Sequence, residues 1–351
     1  MRITGEDISV WNELMKFLEL ILLMYIVYMV NVIIHEGGHL IFGLMTGYKF
    51  NSFRIFSVIL IKQNGKLKIK NISLAGTGGQ CLMSPPELID GKMPYVLYNL
   101  GGVILNVITS LIFIVIYLIS LWKLLSLAMI MSAIMGFASA LVNDIPMKVG
   151  DINNDGYNAV QLGRDKDALK ALWVQLKMNG ALAEGIGIRE MPEEWFESID
   201  GKNDNPMITS IKVFYCNRLM EMHKFEQTKE EIKKVLESNM VLVGVYRYLL
   251  ICDYIYCELI DGNITEAEEF YTKDLQKFMK SMKKFPAILR TKYTYELLHN
   301  KDSKQAEKLR TLFNIMSEKY PYTSDIEAEN ELMDIAKSIY DGVMDNKINK
   351  K

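Results

Sequence analysis

The sequence contains four histidines, and two of them lie four residues apart in His35-Glu36-Gly37-Gly38-His39. On an α-helix, positions i and i+4 share a face, so both imidazoles can aim a ring nitrogen at one metal ion. A glutamate directly after the first histidine sits one step round the helix. There it can take a proton from a metal-bound water without becoming a ligand. Zinc suits this donor set and lowers the pKa of its bound water to about 7. The pattern therefore predicts Zn2+ as cofactor, His35 and His39 as metal ligands and Glu36 as catalytic base. Two histidines leave the metal short of a ligand, so the rest of the chain must supply one.

The elements that would position these residues are apolar. One apolar stretch runs from Phe17 through Ile34, interrupted by Glu19 and Asn31, and continues past the pentad into Leu40-Ile41-Phe42. A second covers Tyr95–Ser120, 26 residues, and a third Leu124–Val142, 19 residues. Each approaches the roughly 20 residues needed to cross a bilayer. As one helix, residues 17–46 would be about 45 Å long against a hydrocarbon core of roughly 30 Å, so it must tilt or protrude. Ionisable side chains within such a segment are costly and point to function. Gly37 and Gly38 each weaken a helix by about 1 kcal/mol relative to alanine, but let a neighbouring segment come close. The N-terminus has only Arg2 and Lys16 as cations and a long apolar run, which predicts a retained anchor rather than a cleaved signal.

Loop charge gives the orientation. Lys49, Arg54, Lys62, Lys66, Lys68, Lys70 and Lys92 lie between the first two spans, and only Lys123 between the next two. The positive-inside rule places the 47–93 loop and everything after 143 in the cytoplasm, predicting a multi-pass cell-membrane protein with its N-terminus outside. Within the loop, Ser52–Ile61 and Lys66–Ile72 flank Gln63-Asn64-Gly65, the pattern of a β-hairpin. Such a hairpin would either offer an edge strand to an extended substrate or cap the helices.

After Ala159 the chain becomes charged and helix-forming. Tyr215, Tyr254 and Tyr293 recur at a spacing of 39, as do Met220, Leu259 and Leu298, and Thr228, Ala267 and Ala306. The turns Met222–Gln227, Asp261–Thr265 and Asn300–Lys304 align in the same register. Each repeat resembles a tetratricopeptide hairpin lengthened beyond 34 residues, whose stacked units present a concave surface to a partner protein. The expected fold class is an all-α polytopic membrane protein: three spans with a hairpin insertion in residues 1–160, and a soluble helical domain in 161–351. A formal net charge of −2, without a basic cluster, gives no footprint for nucleic acid. Cys81, Cys216, Cys252 and Cys257 form no CxxC pair, which predicts scattered reduced thiols.

The third ligand must come from near a membrane boundary, where the segment after the third span offers Asn143-Asp144-Ile145-Pro146, Asp151 and Asn154-Asp155-Gly156. Taken together, the pentad, Gly102-Val103-Ile104-Leu105-Asn106 in the second span, and Asn-x-x-Pro followed by Asp-Gly resemble the site-2 protease family of intramembrane metalloproteases. The resemblance covers roughly residues 17–160, with the three motifs in family order. It implies Asp155 as third zinc ligand, Asn106 as a polar group near the scissile carbonyl and Asn143 as one that helps hold an unwound substrate. Two departures stand out: Val103 replaces the usual proline, and Asp155 lies nine residues after Pro146. The familiar spacing would select Asp151, but Ile152 follows Asp151, whereas Gly156 follows Asp155. No PDZ-like insertion is present.

These features predict a zinc metalloendopeptidase acting on membrane-embedded peptides or proteins. The alternative is a non-catalytic membrane scaffold or receptor whose helical half binds a partner protein. A metal transporter would need more polar residues in the second and third spans.

Overall fold

The computed structural model describes residues 5–72, 78–146, 148–149, 152–197 and 205–348. Contacts between residues divide the chain into two units: residues 1–48, 94–148 and 153–161 form one, and residues 49–93, 149–152 and 162–351 the other.

The first unit is helical. Helix α1 (Gly5–Met45), α2 (Val96–Ile119) and α3 (Lys123–Asp144) are each long and apolar enough to cross a membrane. Large apolar side chains on all three are exposed, including Phe17, Leu22, Leu111, Val115, Leu124 and Ile134. In an apolar solvent this arrangement carries no penalty. Helix α1 starts before the predicted span because its polar first turns still favour helix, with Lys16 paired to Glu13 at 2.8 Å. A short helix, α4 (Asp155–Gln161), packs on α2 and α3.

Glycines set how closely α1 and α2 cross. A Cβ on Gly38 would lie 2.1 Å from the Gly101 carbonyl oxygen, and one on Gly101 would lie 2.5 Å from that of Gly38. The close approach anticipated for Gly37 and Gly38 is made by Gly38 alone; at Gly37 an added Cβ meets only Leu105, at an ordinary 3.8 Å. Both partners at the crossing are backbone, so a methyl there must push the helices apart. Gly38→Ala is expected to destabilise the unit by about 1–3 kcal/mol, seen as a lower thermal unfolding midpoint in detergent. Gly37→Ala is expected to leave the midpoint unchanged or raise it.

The second unit begins with a four-stranded antiparallel sheet of order β3-β2-β1-β4, made of β1 (Lys49–Ile55), β2 (Val58–Gln63), β3 (Lys66–Asn71) and β4 (Gly79–Ser84). This corrects the expected two-stranded hairpin. Asn64 and Gly65, at φ 50° and 74°, make the turn between β2 and β3 as their types suggest. The chain also reverses at Phe56 and Ser57, splitting the predicted Ser52–Ile61 arm into β1 and β2. Phe56 takes φ 52° there without a glycine or asparagine to announce the turn. Two-residue strands β5 (Lys148–Val149) and β6 (Ile152–Asn153) precede α4.

Helix α5 (Lys166–Ala183) covers the sheet, capped by Asp165, whose carboxylate accepts from the Asp167 and Ala168 N–H groups. Buried Ile59, Ile61 and Ile72 meet Ala183 and Tyr320. Helices α6 (Pro206–Glu221), α7 (Phe225–Glu237), α8 (Gly244–Asp261), α9 (Ile264–Phe270), α10 (Lys273–Ser281), α11 (Pro286–Thr294), α12 (Ser303–Ser317) and α13 (Thr323–Ile348) follow. The main core of this unit joins residues such as Ile255, Leu275, Ile288, Phe313 and Met333. All four cysteines are buried free thiols.

Candidate metal centre

His35 and His39 share a face of α1, and Asp155 begins α4. Their donor atoms form a nearly equilateral triangle. His35 Nε2 is 3.2 Å from Asp155 Oδ2, His39 Nε2 is 3.5 Å from the same oxygen, and the two Nε2 atoms are 3.3 Å apart. Three donors about 2.0–2.1 Å from a tetrahedral zinc would be separated by about 3.3–3.4 Å. The triangle therefore fits a tetrahedral ion with one position left open, and it comprises two nitrogens and one carboxylate oxygen, all donors that zinc accepts.

Surrounding contacts orient the rings. His39 Nδ1–H donates to the Tyr98 carbonyl at 2.8 Å, which leaves Nε2 bare on the side of Asp155. The fully buried Asn106 amide lies 3.3 Å from His35 Nδ1 and 3.1 Å from Ser139 Oγ. The atom facing Nδ1 and Ser139 is the amide nitrogen, and the buried Oδ1 has no partner; exchanging the amide's nitrogen and oxygen lets that oxygen accept from His35 Nδ1–H and leaves Nε2 bare for a metal. Gly102 makes room for that ring, because a Cβ there would sit 2.5 Å from His35 Cε1.

Asp155 is placed by its neighbours. The Asn154 amide donates to the Val142 and Ile145 carbonyls at 2.8 and 2.7 Å, while its oxygen accepts from the Tyr157 N–H at 3.0 Å. Asn154 thus grips the end of α3 and caps α4, and Asp155 faces the histidines. Gly156 permits this closeness, since a Cβ on it would lie 1.9 Å from the Asp144 carbonyl oxygen. Where the Nε2 atoms carry protons in place of a metal, burial opposes the charge of Asp155, yet its bonds to His35 and His39 and their charges hold the carboxyl well below the usual carboxylate range.

Glu36 is buried beside this cluster, 9% exposed. Asn143 is not drawn into it: its amide donates to the Ser139 carbonyl of its own helix at 2.9 Å. Asp151 lies outside the described residues. Sequence reasoning missed the Tyr98 carbonyl, Ser139 and Asn154. The first is a backbone atom with no sequence signal, and Ser139 is a common small residue in an apolar helix. Asn154 could have been found as a capping residue directly before Asp155.

The profile described as "Peptidase family M50" matches residues 23–320. That match extends well beyond the 17–160 stretch carrying the motifs. Neither the curated proteins nor the solved structures give a match to the chain.

Proposed function

Because the chain belongs to peptidase family M50, the site-2 protease family, we propose that it is a zinc-dependent endopeptidase hydrolysing peptide bonds of membrane-embedded substrates. The observation that carries this reading is the donor triangle of His35, His39 and Asp155, whose edges match a tetrahedral zinc site.

Bound there, zinc supplies a Lewis acid for the substrate carbonyl and an acidified water at neutral pH. The Glu36 carboxylate takes a proton from the attacking water as its oxygen bonds to the carbonyl carbon. It then delivers that proton to the departing amide nitrogen as the C–N bond breaks, leaving one new carboxylate end and one new amine end. His39 and His35 keep their Nε2 atoms aimed inward through Tyr98 and Asn106. A helical substrate must unwind locally, because its carbonyls are otherwise bonded within the helix. Asn143, at the last turn of α3, is read as one contact for that unwound stretch.

The chain is a membrane protein, and the loop charges support three passes with the helical half in the cytoplasm. There the pairs α6–α7, α8–α9 and α11–α12 are read as repeat units offering a partner surface. Stripping the purified full-length protein with 1,10-phenanthroline is expected to abolish cleavage of an unstructured peptide, and one equivalent of zinc to restore it. Unchanged cleavage by metal-free protein would refute the reading in favour of a non-metal hydrolase, and no cleavage by the zinc-loaded protein would favour the scaffold.

A further inference from the structure

The second unit carries an open cleft of about 350 Å³, within the range of roughly 300–1,000 Å³ typical of small-ligand sites. Much of its wall is apolar, with Met178, Leu182, Leu249, Phe285 and the rings of Tyr246 and Tyr322. Four carboxyls also face it: Glu221 on α6, Asp253 on α8, and Asp325 and Glu329 on α13. Among the described residues that line it, Arg290 is the one cation.

Arg290 is already committed. Its guanidinium bonds the Asp253 carboxylate, its Nε donates to Glu329 at 2.8 Å, and it is 1% exposed. One positive charge against two leaves that group negative by one. Glu221 accepts the backbone N–H of Arg189 at 3.0 Å, but the Arg189 guanidinium is held by Glu331 at 2.7 and 3.1 Å. Asp325 is bonded by the Tyr320 hydroxyl, with Glu221 and Glu329 as its charged neighbours. Arg54 acts on the neighbouring Tyr322. Asp325 therefore faces a mostly apolar space with two like charges and no cation among its electrostatic neighbours, and Glu221 beside it shares an Arg189 whose guanidinium is bonded to Glu331, an arrangement that an incoming cation relieves.

We propose that this cleft binds an organic cation with a primary ammonium, its carbon body against the apolar wall and its N–H donors on Asp325 and Glu221. An ammonium carries three donors and suits a site with few oxygens, whereas calcium requires six to eight oxygen ligands. The cation is either a free aliphatic amine or the lysine side chain of a peptide. The site is independent of the metal centre.

Burial, together with Glu221 and Glu329, pushes Asp325 up to about 8 against the Tyr320 bond. Burial pushes Glu221 up to about 7, with Glu329 adding and Arg189 opposing. Both acids ionise as pH rises through 7–8, while an alkylammonium stays charged to about pH 10. Affinity for the cation must then increase from pH 6 to 8.5, and binding near pH 7 must release protons.

The test is calorimetry on the full-length protein in detergent, with 1,5-diaminopentane and a capped Ala-Lys-Ala peptide as probes. Controls are 1,5-pentanediol and the same peptide carrying Nε-acetyl-lysine. Affinity is expected to rise about tenfold or more over that pH range, with proton release visible as a buffer-dependent heat. The Asp325→Asn/Glu221→Gln variant should lose the binding and its pH dependence without a lower unfolding midpoint. Binding of both probes marks a free amine as sufficient; binding of the peptide alone marks a partner protein as the source. No binding of either probe at pH 8.5, equal binding of the neutral controls, or unchanged binding by the double variant would overturn the proposal.

Discussion

Glu36→Gln is expected to abolish peptide cleavage while leaving the metal in place. The amide is nearly isosteric with the carboxylate, so a buried side chain at this position keeps its packing. It cannot accept the proton of the attacking water, and loss of a general base costs about 10²–10⁴-fold in rate. Metal analysis and peptide cleavage on the same preparation separate the outcomes. Loss of zinc would make Glu36 a ligand, and an unchanged rate would remove it from the proton path.

The second large effect concerns the third ligand. Asp155→Ala reduces the donor triangle to two nitrogens, as His35→Ala reduces it to one nitrogen and one oxygen. Each is expected to weaken zinc binding by more than about 100-fold, beyond the 10–100-fold that loss of a supporting contact costs. Asp151→Ala is expected to leave zinc affinity within a few-fold of wild type. Competition titration with a chromogenic chelator ranks the three variants. The reverse order for the two aspartates would show that spacing from Pro146, rather than the Asp-Gly pair, marks the ligand.

These two residues also show what the sequence makes legible. Helical periodicity alone puts His35 and His39 on one face, and apolar length alone locates three candidate spans, because both signals are local. Asp155 is different. Its approach to the histidines depends on Asn154 gripping the end of α3 and on Gly156 lying against the Asp144 carbonyl, contacts that appear only once the helices pack. The reversal at Phe56 was hidden for the opposite reason: a bulky residue adopts φ 52° where the sheet imposes it, against its own preference. The sheet's packing on α5 was equally hidden, since Ile59, Ile61 and Ala183 are far apart in sequence and meet only through tertiary structure. The cleft acids Glu221, Asp253, Asp325 and Glu329 lie on three helices and carry no spacing signal at all.

The central claim is that this chain cuts membrane-embedded peptides with Glu36 moving the proton. Quantitative mass spectrometry of membrane peptides from cells carrying either wild type or Glu36→Gln, at equal expression and zinc content, tests it most directly. The account predicts that specific membrane-spanning peptides accumulate uncut with Glu36→Gln and that their cytosolic fragments disappear. Identical peptide profiles for the two proteins would contradict it.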